Sequence, residues 1–180
     1  MQPTERRTLF GLILVVGLAW IGLSADPAGH AAVANATAPQ VGLRAPDFVL
    51  SSLDGNRIRL SELGGKAVVL NLWATWCPPC RAEMPALEKA YREFAADGLV
   101  VLAVNATTQD DIAAVQPFAE ELGLTMPILL DAQGLVSKTY QLRSLPSTFF
   151  IDRTGAIREV VIGGPMSEAL LRIRIGAILG

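Results

Sequence analysis

An α/β fold, with a central mixed sheet covered by helices on both faces, is predicted by three observations. Between residues 67 and 140, apolar segments of strand length alternate with segments of helical spacing. Two short segments flank Asp54-Gly55-Asn56, a strong hairpin-turn sequence, and two more lie antiparallel around Asp152-Arg153-Thr154-Gly155. A further helical segment, Met166 to Leu179, closes the chain.

Taken in order, Phe48 to Leu53 and Arg57 to Leu60 are the strands of an N-terminal hairpin, and Ser61 to Lys66 is a connector. Ala67 to Ala74 is continuously apolar but for Asn71, the pattern of a strand buried on both faces. From Pro79 onward, Cys80, Met84, Leu87, Tyr91 and Phe94 recur at helical spacing, Pro85 removes one helix hydrogen bond and bends the helix, and Gly98 ends it. Leu99 to Asn105 is a second buried strand, followed by a helix near Asp110 to Leu122. Pro127 to Leu130 is a third strand and Leu135 to Tyr140 a short helix. Ser147 to Ile151 and Ala156 to Ile162 pair antiparallel before the closing helix.

The only two cysteines, Cys77 and Cys80, lie where the first buried strand meets its helix. A helix N-terminus favours negative charge, because its first N–H groups lack partners and its dipole is positive there. A thiol at that point ionises more easily, and the thiolate is the species that attacks disulfides. A static disulfide is the plainer alternative. The chain-entropy argument gives a loop of about four residues only roughly 2 kcal/mol, against about 3 for fifteen residues. Zinc needs four ligands, and the one histidine, His30, lies outside the predicted domain. The pair therefore reads as a redox-active dithiol, with Cys77 at the helix cap as the more exposed, attacking sulfur and Cys80 as the resolving one. No metal or cofactor is expected.

The N-terminus is of another kind. Met1 to Thr8 is polar and carries Arg6 and Arg7, and Leu9 to Ala25 holds no charge. As a helix that run is about 26 Å long, close to the roughly 30 Å of a bilayer's hydrocarbon core. Residues 1–25 fit a signal anchor or a cleaved signal peptide. The one A-x-A pattern, Ala34-Asn35-Ala36, stands well beyond the apolar run, which favours the anchor. The arginines then hold the N-terminus in the cytoplasm and place the rest outside. Residues 26–40, rich in Ala, Gly and Pro, are expected as a flexible linker, and residues 41–180 as one domain. The net charge of −2 is small and mixed, and no basic patch points to nucleic acid.

Ala45-Pro46-Asp47-Phe48, the run Trp73-Ala74-Thr75-Trp76-Cys77-Pro78-Pro79-Cys80 with Glu83 and Pro85, and Leu145-Pro146-Ser147-Thr148-Phe149 together resemble the thioredoxin fold. Within it they resemble the membrane-tethered TlpA/ResA-like thiol–disulfide oxidoreductases, related to CcmG/DsbE, over roughly Val41 to Leu179. On that resemblance, Asp110 to Leu130 is a central helix–strand insertion, and Leu145-Pro146 is a loop holding a cis proline beside the dithiol. That loop leaves the Leu145 backbone free to pair with an extended client segment. Trp76 and Pro78 complete the client-binding rim, and Trp73 belongs to the core. Glu83, one helical turn beyond Cys80, is expected to be partly buried and to exchange a proton with Cys80; the plainer reading is a surface glutamate near Arg81 or Lys89. Thioredoxin carries a buried aspartate where this chain has Asn71, which cannot titrate. Pro78 and Pro79 remove two amides near Cys77. They weaken thiolate stabilisation and predict a reducing potential nearer thioredoxin than DsbA, unless they merely stiffen the turn.

The resemblance implies an extracytoplasmic reductant of client protein disulfides, with apocytochrome c in cytochrome c maturation the foremost client. A membrane electron donor of the DsbD or CcdA kind would re-reduce it. Two alternatives have other signatures. A peroxiredoxin-like peroxidase wants a threonine three residues before its cysteine, whereas Thr75 is two before Cys77. A Sco-like copper carrier wants a wider cysteine pair and a histidine in the domain.

Overall fold

The computed structural model describes residues 37–180. The expected anchor or signal peptide, His30 and most of the expected linker lie outside them. Residues 37–40, assigned to the linker from sequence, belong to the folded unit Thr37–Gly180, where Thr37 bridges to Arg44. Among the described residues no helix is long and apolar enough to cross a membrane.

Seven strands form one sheet: β1 (Val49–Ser52), β2 (Arg57–Arg59), β3 (Ala67–Trp73), β4 (Leu99–Asn105), β5 (Ile128–Leu130), β6 (Ser147–Ile151) and β7 (Ile157–Ile162). Among the described residues, four α-helices accompany them: α1 (Pro78–Phe94), α2 (Ile112–Glu121), α3 (Leu135–Thr139) and α4 (Glu168–Leu179). The strand order is β2-β1-β5-β4-β3-β6-β7. β3 runs parallel to β4, and β4 to β5; β6 and the N-terminal hairpin join antiparallel. The expected connector after β2 contains a 3-10 turn, Leu60–Leu63.

The buried strands divide their side chains by parity, as a pleated strand must. Ala67, Val69 and Trp73 of β3 face a core shared with Met84 and Leu87 of α1, Phe118 of α2 and Leu171 and Ile175 of α4. Val68, Leu70 and Leu72 face a second core with Leu102, Val136, Tyr140 and Phe149. Asn71 has the parity of the first core, and Thr148, its cross-strand partner on β6, shares that face with Phe150. A polar pair thus sits under α1 in an otherwise apolar layer.

Three carboxylates fasten the outlying segments. Glu88 of α1 accepts from the amides of Thr125 and Met126 and from the Thr125 hydroxyl, and pairs with Arg92. Asp131 accepts from the Val136 and Ser137 amides at the start of α3. Asp152 accepts from the Thr154 and Ala156 amides in the turn between β6 and β7.

Candidate active site

Cys77 is the N-cap of α1, and its sulfur accepts the Cys80 N–H at 3.3 Å. Pro78 and Pro79 occupy the first helical positions, where a missing N–H costs nothing, and so Cys80 supplies the donor. The two sulfurs are joined in a disulfide with their Cα atoms 5.2 Å apart. Both cysteines are buried, and Cys77, expected to be the more exposed, keeps slightly more surface than Cys80. Cys77 is 2% and Cys80 0% exposed. The solvent-facing surface at this turn belongs to Trp76, 58% exposed, and to Pro78.

Residues 105–111 hold the loop that leads into the dithiol. Asp110 accepts from the Thr75 amide at 2.6 Å, the Thr75 hydroxyl at 2.5 Å and Asn105 Nδ2 at 2.7 Å. Trp76 Nε1 donates to the Gln109 carbonyl at 2.7 Å. Thr75, Trp76, Arg81, Pro117, Phe118 and Glu121 line an open groove of about 310 Å³ beside this loop. Arg81 is paired with Glu121 and lies over the Phe118 ring. Trp73 is fully buried and packs against the same Phe118.

Glu83 stands one helical turn beyond Cys80 on α1. It is 1% exposed, not the partly buried group expected, and not a surface glutamate either. Its Oε1 accepts from Asn71 Nδ2 at 2.8 Å and its Oε2 from the Met166 amide at 3.2 Å. Burial pushes its carboxyl above the usual glutamate range, and the bonds from Met166 and Asn71 offset that only in part. Gly164 lies over this carboxylate. A Cβ there would stand 2.8 Å from both Glu83 Oε2 and Pro146 Cγ, so the close approach demands glycine. The Leu145–Pro146 and Gly164–Pro165 peptide bonds are cis. Pro146 is buried, its carbonyl accepts from the Gly163 amide, and Leu145 is half-buried against the core that includes both cysteines.

The structure thus brings Cys77 and Cys80 together and sets Pro146 against Gly164 and Glu83. Trp76 is exposed and tied to the 107–110 segment through the Gln109 carbonyl. Sequence reasoning noted Asn71 only as a lost titratable group and missed Asp110, Thr148 and Gly164. Asn71 carried a signal, since its parity on β3 places it on the face that α1 covers. Among the described residues no three His, Cys, Asp or Glu side chains stand together as metal ligands.

Known proteins are similar to this chain in sequence and fold. Residues 41–160 match the AhpC/TSA family. The chain is 39% identical over 172 residues to thiol–disulfide oxidoreductase ResA of Geobacillus kaustophilus, covering 96% of each chain. It is 45% identical over 125 residues to the thioredoxin-like protein YneN of Bacillus subtilis, covering 69% of this chain and 72% of the relative. Among solved structures, thiol:disulfide interchange protein DsbE of Chlorobium tepidum superposes with a TM-score of 0.72 at 30% identity. That match covers 78% of this chain and 99% of the other. With a dithiol capping a helix on this mixed sheet, the chain belongs to the AhpC/TSA family and, within the thioredoxin fold, to the ResA-like thiol–disulfide oxidoreductases.

Proposed function

We propose that the protein is a membrane-tethered reductant on the extracytoplasmic side, in which Cys77 attacks client disulfides, Cys80 resolves them and Glu83 manages the proton. The observation that carries this reading is the dithiol at the start of α1 with one buried carboxyl a single turn further on. The Cys77 thiolate attacks one sulfur of the client disulfide; a Cys77–client bond forms and the client's other sulfur leaves with the electron pair and takes up a proton. Cys80 gives its proton to the Glu83 carboxylate, and its thiolate attacks Cys77 Sγ. The Cys77–Cys80 bond forms, the Cys77–client bond breaks, and the client's second sulfur leaves with the electron pair and takes up a proton, so that the client departs as a dithiol. Two electrons pass from the enzyme to the client, and a membrane donor of the DsbD or CcdA kind restores them.

The client segment lies along Leu145 and Pro146, with Trp76 and Pro78 bordering its path. An apocytochrome c cysteine pair is the foremost client. The N-terminal apolar run supports the tethered, outward-facing placement.

The test is a pair of full-length variants. Cys80→Ser should accumulate mixed disulfides with clients, identified by mass spectrometry, while Cys77→Ser should lose reduction of insulin or of a model disulfide. Trapping by Cys77→Ser instead would reverse the assignment. Turnover of peroxide by the reduced protein at a rate exceeding that with disulfides would favour a peroxidase.

A further inference from the structure

Asn71 is fully buried, and its amide bonds are unevenly used. Nδ2 donates both of its protons, one to Glu83 Oε1 at 2.8 Å and one to Thr148 Oγ1 at 2.9 Å. Oδ1 is buried with no hydrogen-bond partner among the described residues. The Thr148 hydroxyl accepts from Asn71, and its own proton is given to no acceptor there. This arrangement suits an ionised Glu83, which only accepts.

A protonated Glu83 must donate, and a fixed Asn71 Nδ2 offers it nothing to donate to. Turning the amide by half a revolution resolves this. The two ends of an amide differ in bonding but hardly in shape. In the turned state Oδ1 occupies the former Nδ2 place and accepts from the Glu83 hydroxyl and from the Thr148 hydroxyl. Both contacts keep lengths normal for hydrogen bonds. Each state has two bonds to the amide and one unused amide end, so neither protonation state forfeits a bond.

No cation competes for this role. On α1, Arg81 goes to Glu121 and Lys89 to Glu168. On α4, Arg172 goes to Glu93 and Glu168, and Arg174 to Glu159. Among the described residues, β3 presents Asn71 to the carboxyl, β6 presents Thr148 to Asn71, and the segment before α4 presents the Met166 amide to the carboxyl, a donor only.

We infer that Asn71 is a positioning residue whose side-chain amide reverses as Glu83 gains or loses its proton, holding the carboxyl in place in both states. Its use in the reaction rests on the proposed exchange of a proton between Glu83 and Cys80. An aspartate at residue 71 could not do this, since a second ionised carboxylate repels the first.

The test uses the full-length oxidised protein with labelled asparagine side chains and labelled glutamate carboxyls. The nuclear Overhauser contact between the Asn71 amide protons and the Thr148 methyl group should disappear over the pH range in which the Glu83 carboxyl signal titrates. A contact that persists unchanged through that titration would overturn the inference. Asn71→Ala is the second arm. A fixed donor to a carboxylate contributes enough that its removal raises the Glu83 pKa by about 1–2 units. A reversing amide supports both states, so the shift should stay below about half a unit; a larger rise overturns the proposal. If Asn71→Ala does not fold, the contact measured in the unaltered protein decides. Thiol titrations left unchanged by Glu83→Gln would remove Glu83 from the reaction while leaving the amide reversal standing.

Discussion

Glu83 and Glu88 sit five positions apart on α1, both buried, and their surroundings drive their protons in opposite directions. For Glu83, burial dominates and two donors only soften it, so its pKa rises. For Glu88, burial also pushes upward, but the Thr125 hydroxyl, the Met126 and Thr125 amides and Arg92 together outweigh it, so its pKa falls. The linkage signs follow. Above the ordinary value of 4.5, folded Glu83 holds more proton than unfolded Glu83, and it subtracts stability as pH rises towards its folded value. Glu88 adds stability above 4.5 and loses it as pH falls through its lowered folded value. Urea denaturation across pH 3 to 8 should therefore show Glu83→Gln gaining on the unaltered protein as pH rises, and Glu88→Gln losing ground over the same rise. Parallel curves for either variant would contradict its assignment. The i,i+3 spacing of Cys80 and Glu83 was legible from sequence. The depth of Glu83 was not, because its bonding partners lie 12 and 83 residues away and leave no local pattern.

At the scale of elements, the loop between β3 and α1 owes its shape to the segment that precedes α2. The short local signals, an apolar strand, two prolines and a helical stripe, are enough to predict β3 and the start of α1 within a residue or two, although α1 ends at Phe94, ahead of the expected stop at Gly98. They say nothing of Asp110, whose bonds to Thr75 span 35 positions. Helix α2 begins at Ile112, two residues after the expected start, because Asp110 is spent on Thr75 and Asn105 and Asp111 takes the cap, accepting from Ala113. Asp110→Ala leaves the Thr75 amide and hydroxyl and the Asn105 amide without their shared acceptor, and should cost about 1–3 kcal/mol. Hydrogen exchange at the Thr75 amide should accelerate well beyond the global change. Unaltered protection at that amide would mean that the loop holds its shape without the carboxylate.

At the scale of the molecule, among the described residues, the two cores on either face of the sheet draw on residues between Ala45 and Leu179. A chain beginning at Thr37 should therefore fold cooperatively and retain disulfide reductase activity, as judged by circular dichroism and insulin reduction. An unfolded or inactive product would show that the preceding residues contribute to the domain. The sheet's alternation of strands and helices was readable because each element buries its own periodic face. The central strand β3, however, gains its second neighbour only from β6, nearly eighty positions onward. That delay orders events in time. The two sulfurs are neighbours as soon as one turn of α1 winds, whereas the chamber around Glu83 needs residues 71, 148, 164 and 166 to have met. Contacts so distant in sequence form late, after the entropy of closing a long loop has been met. A newly made chain is thus a plain dithiol first and a tuned one only when its last strand and helix have docked.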